Sequence, residues 1–99
     1  MQNHKIKSYI GFAVKSNNVV FGLDNIMTSR VKVRVIIEDG TLGEASKRKL
    51  TNFLAHKDIP VVVLSDISLG SDILKRDKCK IIGVLEDNLA KAIIAEAKA

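Results

Sequence analysis

The chain has 99 residues, 46% hydrophobic and 27% charged, with 16 Lys+Arg against 11 Asp+Glu for a net charge of +5. That length supports one domain, residues 1–99, whose core takes most of the apolar residues; a large substrate cleft is excluded and any site is a surface built on loops. The basic balance favours a polyanion through counterion release without naming one.

The opening Met1-Gln2-Asn3-His4-Lys5 lacks the apolar run of a signal peptide, and no apolar stretch is long enough to span a bilayer. Cys79 is the sole cysteine, so an internal disulfide is impossible and a cytoplasmic location is expected. Ile6, Tyr9, Ile10 and Ala13 recur at helical spacing, which predicts a helix from about Lys5 to Val14. Ser16-Asn17-Asn18 reads as a turn, because Asn tolerates left-handed geometry. Val19-Val20-Phe21 is a short strand, and Gly22 opens a segment with the apolar stripe Leu23, Ile26 and Met27.

Val31, Val33, Val35 and Ile37 alternate with Lys32, Arg34 and Ile36, the period-two pattern of a strand. Glu38-Asp39-Gly40-Thr41 stops it and starts a helix with Leu50, Phe53 and Leu54 inward, ended by Lys57-Asp58 ahead of Pro60. The run Pro60-Val61-Val62-Val63-Leu64 suits a strand buried on both faces. Ser65-Asp66-Ile67-Ser68 is a turn with several candidate caps leading into Leu69, Ile73 and Leu74. Cys79 to Leu85 is another buried strand, with an inert thiol, and Glu86-Asp87-Asn88 starts a last helix carrying Leu89, Ala90, Ile93, Ile94 and Ala97 inward. This alternation predicts a three-layer α-β-α sandwich on a small mixed four-stranded sheet.

Catalytic signatures are missing. Gly40 to Lys47 has helix-opening glycines but not the adjacent Gly-Lys-Ser/Thr of a P-loop, and reads as an ordinary helix start. Glu38-Asp39 and Glu86-Asp87 each follow a strand; Glu38, Asp39 and Asp87 together would suit a Mg²⁺-dependent phosphoacceptor, but capping and the helix dipole explain both pairs without a metal. His4 and His56 have no partner at metal-ligand spacing, and no Ser/His/Asp order stands out. Tyr9, Phe12 and Phe53 fall on apolar helix faces and read as core, so a stacking platform for bases is not expected. No catalytic residue, metal, cofactor or small-molecule substrate is expected.

Several segments, in order, resemble the superfamily of small ribosomal proteins typified by archaeal L-seven-Ae and eukaryotic L-thirty, and the short bacterial YlxQ-like members above all. Ile10-Gly11-Phe12-Ala13-Val14-Lys15 is similar to the family's opening Leu-Gly-Leu-Ala helix. Phe21-Gly22-Leu23-Asp24-Asn25-Ile26 stands where the family has its Gly-turn and short RNA-facing helix. Val35 to Asp39 followed by Lys49-Leu50, then Ile59 to Leu64 followed by Leu69-Gly70, resemble its central strand, Pro-led strand and Leu-Gly helix, and Asn88 to Ile93 its last helix.

The resemblance implies an α-β-α sandwich that binds structured RNA, kink-turn RNA among the forms, without catalysis, either on the ribosome or free of it. It implies a surface of Gly22, Asp24, Asn25 and Thr28, with Glu38 and the loop at Leu64, Ser65 and Asp66; Lys15, Arg30 and Lys32, nearby, are candidate phosphate contacts or else ordinary solvated cations. Asp24 stands where the family has Asn, Asn25 where it has Glu, and Thr28 where it has Lys. These changes motivate the alternative, a protein-interaction or assembly module of the same fold that has lost RNA recognition.

Overall fold

The structure, a computed structural model, describes residues 3–64, 68–75 and 79–98. Its elements are α1 (Asn3–Lys15), β1 (Val19–Phe21), α2 (Leu23–Thr28), β2 (Val35–Glu38), α3 (Glu44–Leu54), β3 (Val61–Val63), a π-helical segment (Leu69–Leu74), β4 (Ile81–Val84) and α4 (Asp87–Lys98). The sheet order is β1-β4-β2-β3, with β4 antiparallel to both neighbours and β2 parallel to β3.

Two apolar clusters make this an α-β-α sandwich. On one face Ile6, Ile10 and Ala13 of α1 and Ala90 and Ile93 of α4 bury against Val35, Ile37, Val62, Ile82 and Val84. On the other, Leu23 and Ile26 of α2 and Leu50 of α3 bury with Val33, Ile36 and Ile81. Strand side chains alternate between the faces, so β2 and β4, buried throughout, feed both clusters. Gly83 sets how closely α2 approaches: a Cβ there would meet Val33 Cγ1 at 2.9 Å, Val20 Cγ2 at 3.1 Å and Ile26 Cγ1 at 3.2 Å.

The turn after α1 takes the left-handed geometry expected of Asn, with Asn17 at φ 60° and the Asn18 N–H closing on Ala13 O at 2.8 Å. Several expectations are corrected. Phe12 is 60% exposed: two residues from Ile10 is about 200° around a helix, which turns it off the buried stripe. The strand expected from Val31 starts only at Val35; Val31 is exposed and Val33 reaches the core from outside the ladder. α3 stops at Leu54, where Ala55 and Lys57 make tighter bonds to carbonyls three residues back, ahead of Lys57-Asp58. β3 is buried on one face only, because it is an edge strand: Val62 is covered by the α1/α4 layer, and Val61 and Val63 face the other way and are exposed. Cys79 lies before β4 and is half-buried, its Sγ 3.5 Å from Ile81 O. Among the described residues no helix is long and apolar enough to cross a membrane.

Candidate functional site

Because β4 opposes β1 and β2, and β3 parallels β2, the chain directions of β1, β2 and β3 agree. Their carboxyl ends therefore meet at one end of the sheet, beside the start of β4. In open α/β sheets this is the end where ligands bind. The register brings Gly22, Glu38, Asp39, Leu64, Lys80 and Ile81 there: the Gly22 N–H donates to Ile81 O at 3.0 Å, Asp39 N–H to Lys80 O at 3.2 Å, and Leu64 N–H to Glu38 O at 2.7 Å.

A groove of about 400 Å³ opens at this end between the β1–α2 turn, the start of α3 and the start of β4, lined by Gly22, Leu23, Gly43, Ser46, Cys79 and Lys80 among others. Gly22 has φ 85° and ψ 153°, a conformation essentially reserved for glycine, and a Cβ at Gly22 or at Gly43 would meet nothing within 4 Å. The two glycines leave backbone open to whatever enters. Gly43 precedes α3 without a side-chain cap, so the first-turn amides of that helix are left for a ligand or solvent.

On α2, Asp24, Asn25 and Thr28 are exposed. Asn25 Nδ2 donates to Phe21 O at 2.7 Å, which ties the amide donor to the turn and leaves Oδ1 to accept. Thr28 Oγ1 donates to Asp24 O at 2.9 Å. Glu38 and Leu64 stand at the right end of the sheet but are 8% and 1% exposed, so Leu64 offers the site no side chain. Ser65 and Asp66 lie outside the described residues. Lys15, Arg30 and Lys32 are not brought to this groove. Asn18, just after α1, bonds Leu85, and Arg34, just after Lys32, bonds Val84. They sit toward the opposite end of β4, four residues or about 13 Å along the strand from Ile81. There Arg30 and Lys32 line a separate cleft of about 390 Å³ with Met27, Phe53 and Lys57, whose Nζ stands 4.9 Å over the Phe53 ring.

Of the acidic pairs, only Glu86-Asp87 caps the helix that follows it; Asp39 does not reach the start of α3, whose N-cap is Gly43, and instead ties its own loop to a later segment. Asp39 Oδ2 accepts the Leu69 N–H at 2.9 Å and Oδ1 accepts the Thr41 N–H at 3.0 Å and the Thr41 hydroxyl. Burial pushes the Asp39 carboxyl up, but these bonds, with the charge of Lys80, outweigh it and hold it below the ordinary carboxylate range. Glu86 Oε1 and Oε2 accept the Asn88 and Leu89 N–H groups at the start of α4. Since β4 is antiparallel to β2, Glu38-Asp39 and Glu86-Asp87 lie at opposite ends of the sheet, and Asp87 pairs with Lys91 at 3.1 Å. Among the described residues no group of three or more His, Cys, Asp or Glu side chains is placed to hold a metal ion.

Sequence reasoning missed Lys80, and it set Gly43 and Ser46 aside with the Gly40–Lys47 stretch as an ordinary helix start. Lys80 was hidden because the sequence places it inside the strand from Cys79, whereas β4 starts only at Ile81; Gly43 and Ser46 reach the groove through the packing of α2 beside α3.

No family model and no curated protein matches the chain. Among solved structures, a protein of unknown function from Bacillus halodurans superposes with a TM-score of 0.83 at 20% identity, covering 96% of this chain and 98% of that one. The likeness extends over the whole sandwich, and at this identity it shows a shared fold.

Proposed function

We infer that the chain binds structured RNA without catalysis, as the kink-turn binders it resembles do, and that the groove at Gly22 is the contact. The observation that carries this reading is the glycine-lined groove at the carboxyl end of three strands, with Lys80 on its wall. An RNA bend needs close backbone approach, which Gly22 and Gly43 permit. Phosphate is favoured by the uncapped amides of α3 and by Lys80, while Asp24 and Asn25 Oδ1 are acceptors suited to base amino groups. Gel shift against total cellular RNA and a kink-turn hairpin, at rising salt, tests it. Binding that weakens with salt is expected; no salt-sensitive binding to either RNA ends the proposal.

A second reading, a protein-interaction module, is favoured by the exposure of Phe12 at 60% and Val31 at 58%. Affinity capture before and after nuclease treatment separates the two, since a protein partner survives digestion and an RNA-bridged one does not.

A further inference from the structure

The sheet has two edges, and they are not alike. At β1 the register with β4 turns the backbone groups of Val19 and Phe21 outward, and there Asn25 Nδ2 occupies Phe21 O at 2.7 Å, with α2 packed alongside. That edge is obstructed by the protein's own side chain. At β3 the alternation is set by Pro60 O accepting from Ile36 N–H at 2.9 Å and Leu64 N–H donating to Glu38 O at 2.7 Å. Residues 60, 62 and 64 thus face β2, and the N–H and C=O groups of Val61 and Val63 face away from the sheet. Among the described residues none bonds them. Pro60 does not protect this edge, because its nitrogen lies on the β2 side.

Edge strands are usually blunted by short length, a charge, a bulge or a covering element; β3 has the first, with three residues, but carries no charge. Here the three strand residues are all valine, Val61 is 37% exposed and Val63 49% exposed, and their side chains share the α2/α3 face. On the opposite face an apolar groove of about 310 Å³ runs beside the strand, walled by Ile94, Ala97 and Lys98 of α4.

We propose that β3 is a self-association edge, at which two copies of this chain join antiparallel into one continuous eight-stranded sheet. The commitment to a second copy rests on self-complementarity. A two-fold axis through Val62 sets Val61 opposite the partner's Val63 and Val63 opposite the partner's Val61, and both are hydrogen-bonded pairs, four bonds in all. Val62 then meets its own copy at the non-hydrogen-bonded position, where side chains approach more closely. The exposed valines meet valines on one face, and the two α4 grooves adjoin on the other. β3 itself carries no charge, and the one cation of each groove wall, Lys98, makes association stronger at higher salt. With three residues a side the interface is small, so the dimer is concentration-dependent.

Sedimentation equilibrium and amide exchange of the full chain, from about 10 µM to about 1 mM where small interfaces associate, test the proposal. The weight-average mass is expected to rise from 10.8 kDa toward twice that value. The Val61 and Val63 amides should gain at least about tenfold protection over the same range as they become paired. The double variant Val61→Lys/Val63→Lys, changed only at exposed side chains, should stay monomeric with an unchanged circular dichroism spectrum, while Val61→Thr/Val63→Thr, still β-branched, should dimerise. A mass fixed at the monomer value, or a dimer that the lysines leave intact, overturns it.

Discussion

Asp39 ties the end of β2 to two later segments, and its replacement by Asn removes the charge and one of the two acceptors together. Asp39 is 6% exposed, and both carboxylate oxygens accept: one from Thr41, two residues on, and one from the Leu69 N–H, thirty residues on and buried. An Asn keeps one acceptor and presents an NH₂ to a backbone N–H that already needs one. The orphaned donor costs about 1–3 kcal/mol. We take about 2 kcal/mol, which for a domain of this length lowers Tm by roughly 8–16 °C. The sign with pH follows from a folded-state carboxyl held below its ordinary value. The stabilisation is complete above the unfolded aspartate value of about 3.9 and is lost as pH falls through the lower folded value. Urea unfolding of the native chain and of Asp39→Asn at pH 7 should therefore differ by the full amount, and the gap should narrow below about pH 4. A difference under about 0.5 kcal/mol at pH 7, the level of an ordinary surface change, or a gap that widens on acidification, would refute the capping argument.

Three further outcomes bear on the candidate site. Gly83→Ala drives a methyl against Val33, Val20 and Ile26, and should cost about 1–3 kcal/mol in thermal unfolding, with RNA affinity falling as α2 is pushed off the sheet. Gly22→Ala meets no atom but forces alanine into φ 85°, ψ 153°, for about 1–3 kcal/mol of strain; gel shift should show weaker RNA binding by a protein that is still folded at 25 °C. Lys80→Gln should reduce the slope of log affinity against log salt by about 1, whereas Lys15→Gln, at the other end of the sheet, should leave it unchanged.

The layers of the fold were legible because each buried element carries a period that one dominant force writes into it. Ile6, Ile10 and Ala13 recur at helical spacing because α1 buries a single stripe. Phe12 looks like core by its aromaticity, but its angle around the helix, about 200° from Ile10, places it on the exposed side. The Pro60–Leu64 run failed for another reason. A valine-rich strand reads alike in the middle of a sheet and at its edge, since strand order is a property of distant residues: β3 is an edge only because β4, arriving last, inserts between β1 and β2.

Strand order also decides which site residues meet, and this is where reading along the chain runs out. Gly22 and Lys80 are 58 positions apart, yet they share a groove because the antiparallel pairing of β1 with β4 brings the end of one to the start of the other. Lys15 is only seven positions from Gly22 and lies at the far end of the same strand. A three-residue strand with its flanks is long enough to separate a cation from a turn by about 13 Å, beyond the Debye length of about 8 Å at physiological salt. Charge counted near a turn in sequence therefore says little about the potential at that turn. The cation that bears on the Gly22 groove arrives with β4, and its own field is also felt by Asp39, whose carboxyl it helps to keep ionised. The hydrogen bonds from Thr41 and Leu69 hold that carboxyl down more strongly than the lysine does, so the cap that anchors Leu69 stands on its own bonds while Lys80 is left to face the groove.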